Sequence, residues 1–329
     1  MSKLDEMRAK LAALESKKQP SNNNNQSGGL TYPHWNIEEG TTATVRFLPD
    51  GNQDNPFFWV ERAMIKLPFA GVKGGDSKDT IVQVPCMEMY GEGESCSVLN
   101  EVRTWFKDPA MEEMGRKYWK KRSYIFHGFV HEDPMNEENK PENPIRKFMI
   151  SPSIFNTIKA SLMDPEMEDL PTSYENGLDF RIAKTQKGMY ADYGTSTWAR
   201  KETALTADEL AAIEQNGLNN LNDFLPPKPD AETQKVIYEM FEASVNGEQY
   251  DVEKWGNYYR PWGVDAPEGS NKTTETVTPV ATPAPVTEAA PFEAETTTAT
   301  TAPAEEAAAP TVNDKTADIL AQIRARQQA

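Results

Sequence analysis

The chain runs to 329 residues and carries a formal net charge of −17, with 51 Asp and Glu against 34 Lys and Arg, and only two cysteines. Two thiols cannot build a disulfide framework and suit a reducing compartment; no apolar run reaches the roughly 18 residues of a membrane span, and the first residues lack the apolar core of a secretory signal. Charge of this sign also argues, at first sight, against a polyanionic ligand.

In chain order, residues 3–18 come first as an amphipathic pattern, with Leu4, Met7, Leu11 and Leu14 on one stripe and Arg8, Lys10, Lys17 and Lys18 around it. So short a helix is marginal alone in water, so residues 1–20 are expected to form an arm that docks on a partner. Strands are predicted at Thr42–Leu48, Phe57–Ile65 and Thr80–Val84, then at Tyr124–Val130, Ile145–Ile150 and Phe180–Thr185, where β-branched and aromatic residues dominate. Gln186-Lys187-Gly188 reads as a turn into a partner strand at Met189–Tyr193. One helix is expected over Ser153–Met163, with Ile154, Phe155, Ile158 and Leu162 inward. A second starts at Thr206, which can form a capping box with Glu209 and a staple of Leu205 on Leu210, and stops at Gly217. A third covers Asp230–Asn246 and buries Val236, Ile237, Met240, Phe241 and Val245.

From about Val264 the composition narrows to Thr, Pro, Ala and Glu, with Phe292 the only aromatic before Asn313. That is too little apolar surface to offset chain entropy, so residues 264–312 are expected to be a disordered acidic linker. Residues 313–329 follow with an amphipathic pattern, Ile319, Leu320 and Ile323 being apolar, Asp314 a cap, and Arg324 and Arg326 at the C-terminal end. An apolar helical face on a flexible tether is how a recruitment peptide is built. The fold class is therefore α+β with a mainly β core over residues 30–263. The strand count suggests an OB-fold, a five-stranded partly open barrel, with a small subdomain inserted around residues 66–115 and flanking helices.

Two stretches of that core combine cations with rings. Arg116, Lys117, Tyr118, Trp119, Lys120, Lys121, Arg122 and Tyr124 lie within nine residues that hold no carboxylate. Arg181, Lys184 and Lys187 precede Tyr190 and Tyr193, and Trp198, Arg200 and Lys201 follow. Cations attract phosphates, and flat rings stack on unpaired bases at about 1–3 kcal/mol per base, whatever the base. Either stretch alone also suits a solvated turn running into a buried strand; two in one domain read as walls of a groove for single-stranded nucleic acid. The acid lies elsewhere, in residues 132–142, in residues 164–169 and in the tail, where eight Asp and Glu between Val264 and Asn313 meet Lys272 alone. No phosphate-binding loop, His-Glu-x-x-His or nucleophile elbow occurs, so no enzyme is expected. Three classes are weighed: a single-stranded DNA binder, a single-stranded RNA-binding regulator, and a nuclease with a metal at residues 164–169. The last competes with a solvated acidic loop.

Val45-Arg46-Phe47-Leu48-Pro49, then Cys86 and Cys96, then Lys120-Lys121-Arg122-Ser123-Tyr124, then Tyr190-Ala191-Asp192-Tyr193 occur in that order. In this the chain resembles the single-stranded DNA-binding proteins of T-even-type bacteriophages, the helix-destabilising proteins of phage replication. The resemblance implies an OB-fold core, an inserted subdomain, and a cleft between them that grips the DNA backbone. It places Tyr118, Tyr124, Phe148, Tyr190 and Tyr193 among the rings that line the cleft and Lys120, Lys121 and Arg122 among its cations, with core packing a competing role for Phe148. It implies cooperative coating of single strands in replication, recombination and repair, in the cytoplasm of an infected bacterial host. Self-association along the strand would run through residues 1–20, and phage polymerase, helicase-loading and recombination proteins would be reached through the C-terminal region.

The chain departs from that family at its zinc. The family holds the ion with one His and three Cys, whereas Leu99 stands where the third cysteine is expected and no histidine lies between His34 and His127. Two thiolates cannot supply four tetrahedral ligands. No cofactor is therefore expected, Cys86 and Cys96 are remnants of the site, and the insertion should rest on apolar contacts of Val98, Leu99 and Trp105. His127 and His131 are read as buried or solvated histidines.

Overall fold

A computed structural model of the chain describes residues 30–265, apart from residues 76, 77, 92, 138, 139, 165, 166, 168 and 169. The expected arm at 1–20, the linker and the C-terminal helix lie outside the described residues, as does part of the acidic run 164–169. The strands are β1 (Thr42–Phe47), β2 (Val60–Phe69), β3 (Thr80–Pro85), β4 (Lys121–Glu132), β5 (Arg146–Ile150), β6 (Phe180–Ala183), β7 (Thr185–Lys187), β8 (Tyr190–Asp192) and β9 (Thr197–Trp198). Six α-helices accompany them among the described residues: α1 (Ser97–Trp105), α2 (Glu112–Tyr118), α3 (Pro152–Leu162), α4 (Ala207–Asn216), α5 (Ala231–Val245) and α6 (Val252–Trp255).

Every pair of these strands is antiparallel, in the order β3-β2-β4-β1-β6-β9, with β5 also paired to β4 and β7–β8 forming a separate hairpin. The class is α+β, and the strand path is open among the described residues. β4 is the spine. Its first residues pair with β2, from Met64 opposite Lys121 to Val60 opposite Ile125. Its last pair with β1, from Phe47 opposite Gly128 to Thr44 opposite Glu132. β5 covers 124–128, which overlaps both, so β2 and β1 follow one another along one edge of β4 and β5 takes the other edge. Gly128 is required there, because a Cβ would run into the carbonyl of Arg46.

Directly opposed residues share a sheet face, and that rule locates the two main cores. Ala63, Ile65, Leu67 and Phe69 of β2 join Val82 and Val84 of β3, Val98, Leu99, Val102 and Trp105 of α1, and Met240 and Phe241 of α5. The contacts expected of Val98, Leu99 and Trp105 are found there. Val45, Phe47, Tyr124, Phe126, Phe148, Ile150, Phe180 and Ile182 join Ile154, Phe155 and Ile158 of α3 in a second cluster. Since Ala63 opposes Arg122 and Glu61 opposes Tyr124, both clusters lie on one face of the sheet. Arg122 and Glu61 stand between them.

Several expected boundaries shift. β2 is predicted to begin at Phe57 and end at Ile65, but pairing with β3 carries it to Phe69, opposite Thr80, while Phe57–Trp59 remain in the preceding loop. The turn read at Gln186-Lys187-Gly188 falls one residue later, with Lys187 opposite Tyr190 and Gly188 at φ 65°, a conformation that costs glycine little. The capping box of Thr206 and Glu209 forms, and Gly217 ends α4. The Leu205–Leu210 staple does not: Leu210 is exposed, and buried Leu205 packs with Ala212 and Ile213. Helices α1 and α2 have no counterpart in the predicted elements.

A polar knot fastens the opposite face. Arg46 is fully buried in β1; its Nε donates to Asp179 at 2.8 Å and its Nη2 to the Thr203 carbonyl at 2.9 Å. Asp179 also meets His131 Nδ1 at 3.2 Å, and His131 Nε2 lies 2.7 Å from Glu209 of α4. The hydrogen bond to Asp179, above all, raises the His131 pKa over its ordinary 6.5. Burial pulls Asp179 upward, but its bonds to His131 and Arg46 outweigh that and hold it below the usual range.

The sign follows by linkage. A histidine raised on folding contributes fully below about pH 6.5 and loses that contribution as pH rises through its folded value. His34 and His127 are lowered by burial and act the opposite way, losing stability as pH falls below 6.5. Subtracting the melting temperatures of His131→Asn from those of the wild type isolates the raised group. The difference should be largest near pH 6 and shrink toward pH 9, on the scale of the 2–4 °C that about 1 kcal/mol moves a chain of this size; a difference flat across that range would refute the coupling.

Candidate nucleic-acid interface

The boundary between the two clusters is where the sheet face is left to polar and aromatic groups. Arg122 is half-buried beside Glu61, Nε to Oε1 3.2 Å. Next to it the Tyr124 ring stacks on Phe155 of α3, with centroids 3.5 Å apart and planes at 12°. Phe155 meets Trp59 edge-on at 5.3 Å, and Trp59 stacks on Phe57 at 4.8 Å and 29°. The four rings make a ribbon that climbs from a buried tyrosine to a phenylalanine that is 53% exposed. Its outer end is held by a loop of side-chain turns: Asn55 Nδ2 donates to Asp50 at 2.7 Å and to the Trp59 carbonyl at 3.2 Å, and its Oδ1 accepts from Phe57 N–H. Trp119, just before β4, is partly buried against Phe106, with the Arg103 guanidinium 6.0 Å from its centroid.

The hairpin β7–β8 offers a second aromatic–cationic tip. Lys187 and Tyr190 are a cross-strand pair, so their side chains share a face, and Met189 beside them is 92% exposed. Tyr193 is buried next to His34, ring centroids 6.1 Å apart, and Trp198 is buried edge-on to Phe180. Arg200 and Lys201 are exposed.

Several other residues of the two stretches are engaged within the fold, while Lys117 and Arg181 are exposed. Tyr118 is buried between Trp105 and Phe241, edge-on to both, with its hydroxyl 3.0 Å from Ser244. Phe148 is fully buried against Phe47 and Tyr32. Both rings are enclosed by their clusters, which for Tyr118 corrects the cleft-lining expectation and for Phe148 matches the competing core role. Lys120 is buried and donates to Glu88 at 2.8 Å, and Arg116 pairs with Glu112 one turn back in α2 at 2.6 Å. Lys117 is exposed, 5.9 Å from the Tyr118 ring. Lys184 donates to the carbonyls of Trp35 and Ile37, both at 2.8 Å, pinning the segment before β1. Arg181 sits opposite Thr44 and Thr197, between Phe180 and Ile182 of the second cluster, so it is on the other face of the sheet.

Lys121 is exposed and bonds the Arg116 carbonyl at 3.1 Å. It too belongs to the reverse face, opposite Met64. There burial, and then the charge of Lys121, lower the pKa of Lys66. Sequence reasoning did not single out Phe57, Trp59 and Phe155 as candidate site residues. Three consecutive aromatics at 57–59 directly after Pro56 were the available signal.

The zinc implied by the resemblance does not fit. Cys86 and Cys96 are both buried in the first cluster, while His34 lies beside Tyr193 of the second, His127 binds the Pro49 carbonyl and His131 joins Asp179 and Glu209. Among the described residues no group of three or more His, Cys, Asp or Glu side chains is placed to hold a metal ion, and no helix is long and apolar enough to cross a membrane.

No curated protein matches the chain. A family model does, one described as gp32 DNA binding protein like, over residues 39–240. That stretch runs from just before β1 through most of α5 and contains the sheet, the aromatic ribbon, Arg122 and the hairpin tip. The chain belongs to the gp32 DNA-binding-protein-like family.

Proposed function

We propose that the chain binds single-stranded DNA without sequence preference, along the sheet face between the two apolar clusters. The observation that carries this reading is the Tyr124–Phe155–Trp59–Phe57 ribbon beside Arg122, in a chain of a DNA-binding family. Phosphates would meet Arg122 and Lys117, and unpaired bases would stack on the outer rings and on Tyr190. A duplex keeps its base faces covered, so it offers such a platform nothing to stack on. Preference for the single strand shifts the melting equilibrium by mass action, and hairpins in the bound strand open. The reading makes the protein a stoichiometric binder rather than an enzyme. The sheet of β1, β4, β5 and β6 around the second cluster supports an OB-type core.

On this reading the protein serves replication, recombination and repair of phage DNA in the bacterial cytoplasm, coats the strand cooperatively through residues 1–20, and reaches polymerase, helicase-loading and recombination proteins through residues 313–329. The acidic tail and the acidic loops discourage non-specific contact elsewhere on the body.

Titration of intrinsic fluorescence with poly-dT at several salt concentrations tests the groove. Arg122→Ala should lower the salt slope by about 0.7, the single-strand value for one phosphate contact. Phe57→Ala, Trp59→Ala and Tyr190→Ala should each cost about 1–3 kcal/mol with the slope unchanged. Tyr118→Ala should instead unfold the first cluster, and its folded fraction should bind normally. Full affinity in a correctly folded Phe57→Ala/Trp59→Ala/Arg122→Ala variant would move the interface elsewhere; tighter binding of a matched RNA oligomer would favour the RNA regulator.

The termini separate by length of ligand. Removal of residues 1–20 should leave binding to a short oligomer nearly intact and abolish clustering on long strands. Removal of residues 313–329 should leave poly-dT affinity within about a few-fold, on the view that a tethered helix adds partners rather than DNA contacts, and should lose at least one partner in a pull-down. Equal weakening on short and long DNA in the first case, or an unchanged set of partners in the second, would count against these roles.

A further inference from the structure

We infer that Glu61 sets the strength of binding at this groove: its carboxylate occupies Arg122 in the free protein and is exchanged for a phosphate when a strand enters. This role rests on the single-stranded DNA reading above and adds to it an acidic residue that works against affinity. β2 and β4 place Glu61 opposite Tyr124 and Ala63 opposite Arg122, so Glu61 and Arg122 are diagonal neighbours on one sheet face. Trp59, two residues before Glu61, and Tyr124 across from it are both members of the ribbon, joined through Phe155. The carboxylate therefore stands where the cation and the stacked rings meet, with its Oε1 3.2 Å from Arg122 Nε.

Two ion pairs of the basic stretch differ in the property this role needs. Lys120 and Glu88 are nearly enclosed, 2.8 Å apart. Breaking a pair so placed leaves an uncompensated charge in the interior, so it persists with or without a ligand. Arg122 and Glu61 are 36% and 41% exposed. Pairs at such sites contribute little and are screened by salt, so a phosphate takes the guanidinium from the carboxylate at small cost, and the fork of an arginine suits a phosphate as well as it suits a carboxylate. Once displaced, Glu61 stays on the sheet face as a negative charge beside a polyanion. Like charges brought together across an interface weaken it. The complex is therefore looser than its rings and cations alone would make it, and it is loosened through the phosphate contact, with the stacking left as it was. A protein that coats a strand has to leave it again, and this exchange eases that release.

The test titrates the intrinsic fluorescence of the full chain with a short oligo-dT, so that contacts between neighbouring protomers do not enter, at low and at high salt. Glu61→Gln keeps the size of the side chain and removes its charge. It should bind about two- to five-fold more tightly at low salt, the range that exposed pairs cover, and the gain should fade as salt approaches roughly 1 M. Glu61→Thr, a second neutral residue suited to a strand, should behave alike, and both should melt within about 2 °C of the wild type. In an Arg122→Ala background Glu61→Gln should lose most of its gain, because no cation is left to exchange. Unchanged or weaker binding by the folded variants would overturn the inference and make Glu61 an aligning partner of Arg122. An equal gain with and without Arg122 would overturn it in favour of general repulsion, and loss of the fold in both variants would make the carboxylate structural. Arg122→Ala that keeps wild-type affinity and salt slope would instead remove the groove reading itself, and the role of Glu61 with it.

Discussion

Backbone pairing along Lys121–Glu132 is the constraint on which the rest of this molecule depends. Two strands share one edge of β4 in succession, so a single run of hydrogen bonds sets the position of the α1–α2–α5 cluster relative to the β1–β5–β6–α3 cluster. A slip of one residue would turn every side chain of β4 to the wrong face, sending Phe126 out of its core and Arg122 behind the sheet. The close approach at Gly128 lies where β4 changes from one partner to the next, and the bulge of β1 between Thr44 and Val45 lies toward the far end of β4, opposite Val130 and Glu132. Two cores on one sheet face need such a shared element, because cores joined only by loops would not keep a fixed relative position.

Electrostatics in this protein are decided over short distances. The nine-residue cationic run that leads into β4 contains no carboxylate, yet Glu112, Glu88 and Glu61, far or near in sequence, each reach one of its cations. The exposed pairs of Arg116 and Arg122 contribute little stability; like the buried Lys120–Glu88 pair, they fix the direction of a side chain. Lys120 is held toward Glu88, while the Arg122–Glu61 pair is half-exposed. The net acidity of the chain therefore says little about the groove, where the balance is set by a few side chains within a Debye length.

The corner at Cys86 and Cys96 is packed by apolar side chains. Leu99, at the position expected of a third thiolate, is fully buried, and Trp105, Phe241 and Tyr118 pack around it as an aromatic cluster. Apolar burial at roughly 25 cal/mol per Å² does the work that ligand bonds do in a zinc site, without needing four donors in one geometry.

Much of this was written locally in the sequence. The strands at β1, β3 and β5, the cap of α4 at Thr206, the stop at Gly217 and the helix α5 follow from alternation, capping chemistry and 3.6-residue periodicity, all of which act over a few neighbours, and the ordered motifs from Val45 to Tyr193 pointed to the family that the matched model establishes. What the sequence could not decide was which cations and rings are buried or paired within the fold. Tyr118 and Tyr124 stand six residues apart in the same basic stretch; one is locked into a core by Trp105, Phe241 and Ser244, the other stacks on Phe155 at the edge of the groove. Phe57 and Trp59 look like the start of a strand and become the outer half of the ribbon, and Lys184 looks like a phosphate contact and becomes an anchor for two carbonyls. Composition carries the capacity to stack and to attract phosphate, but burial and pairing depend on residues a hundred positions away, and only the tertiary structure brings those partners into contact.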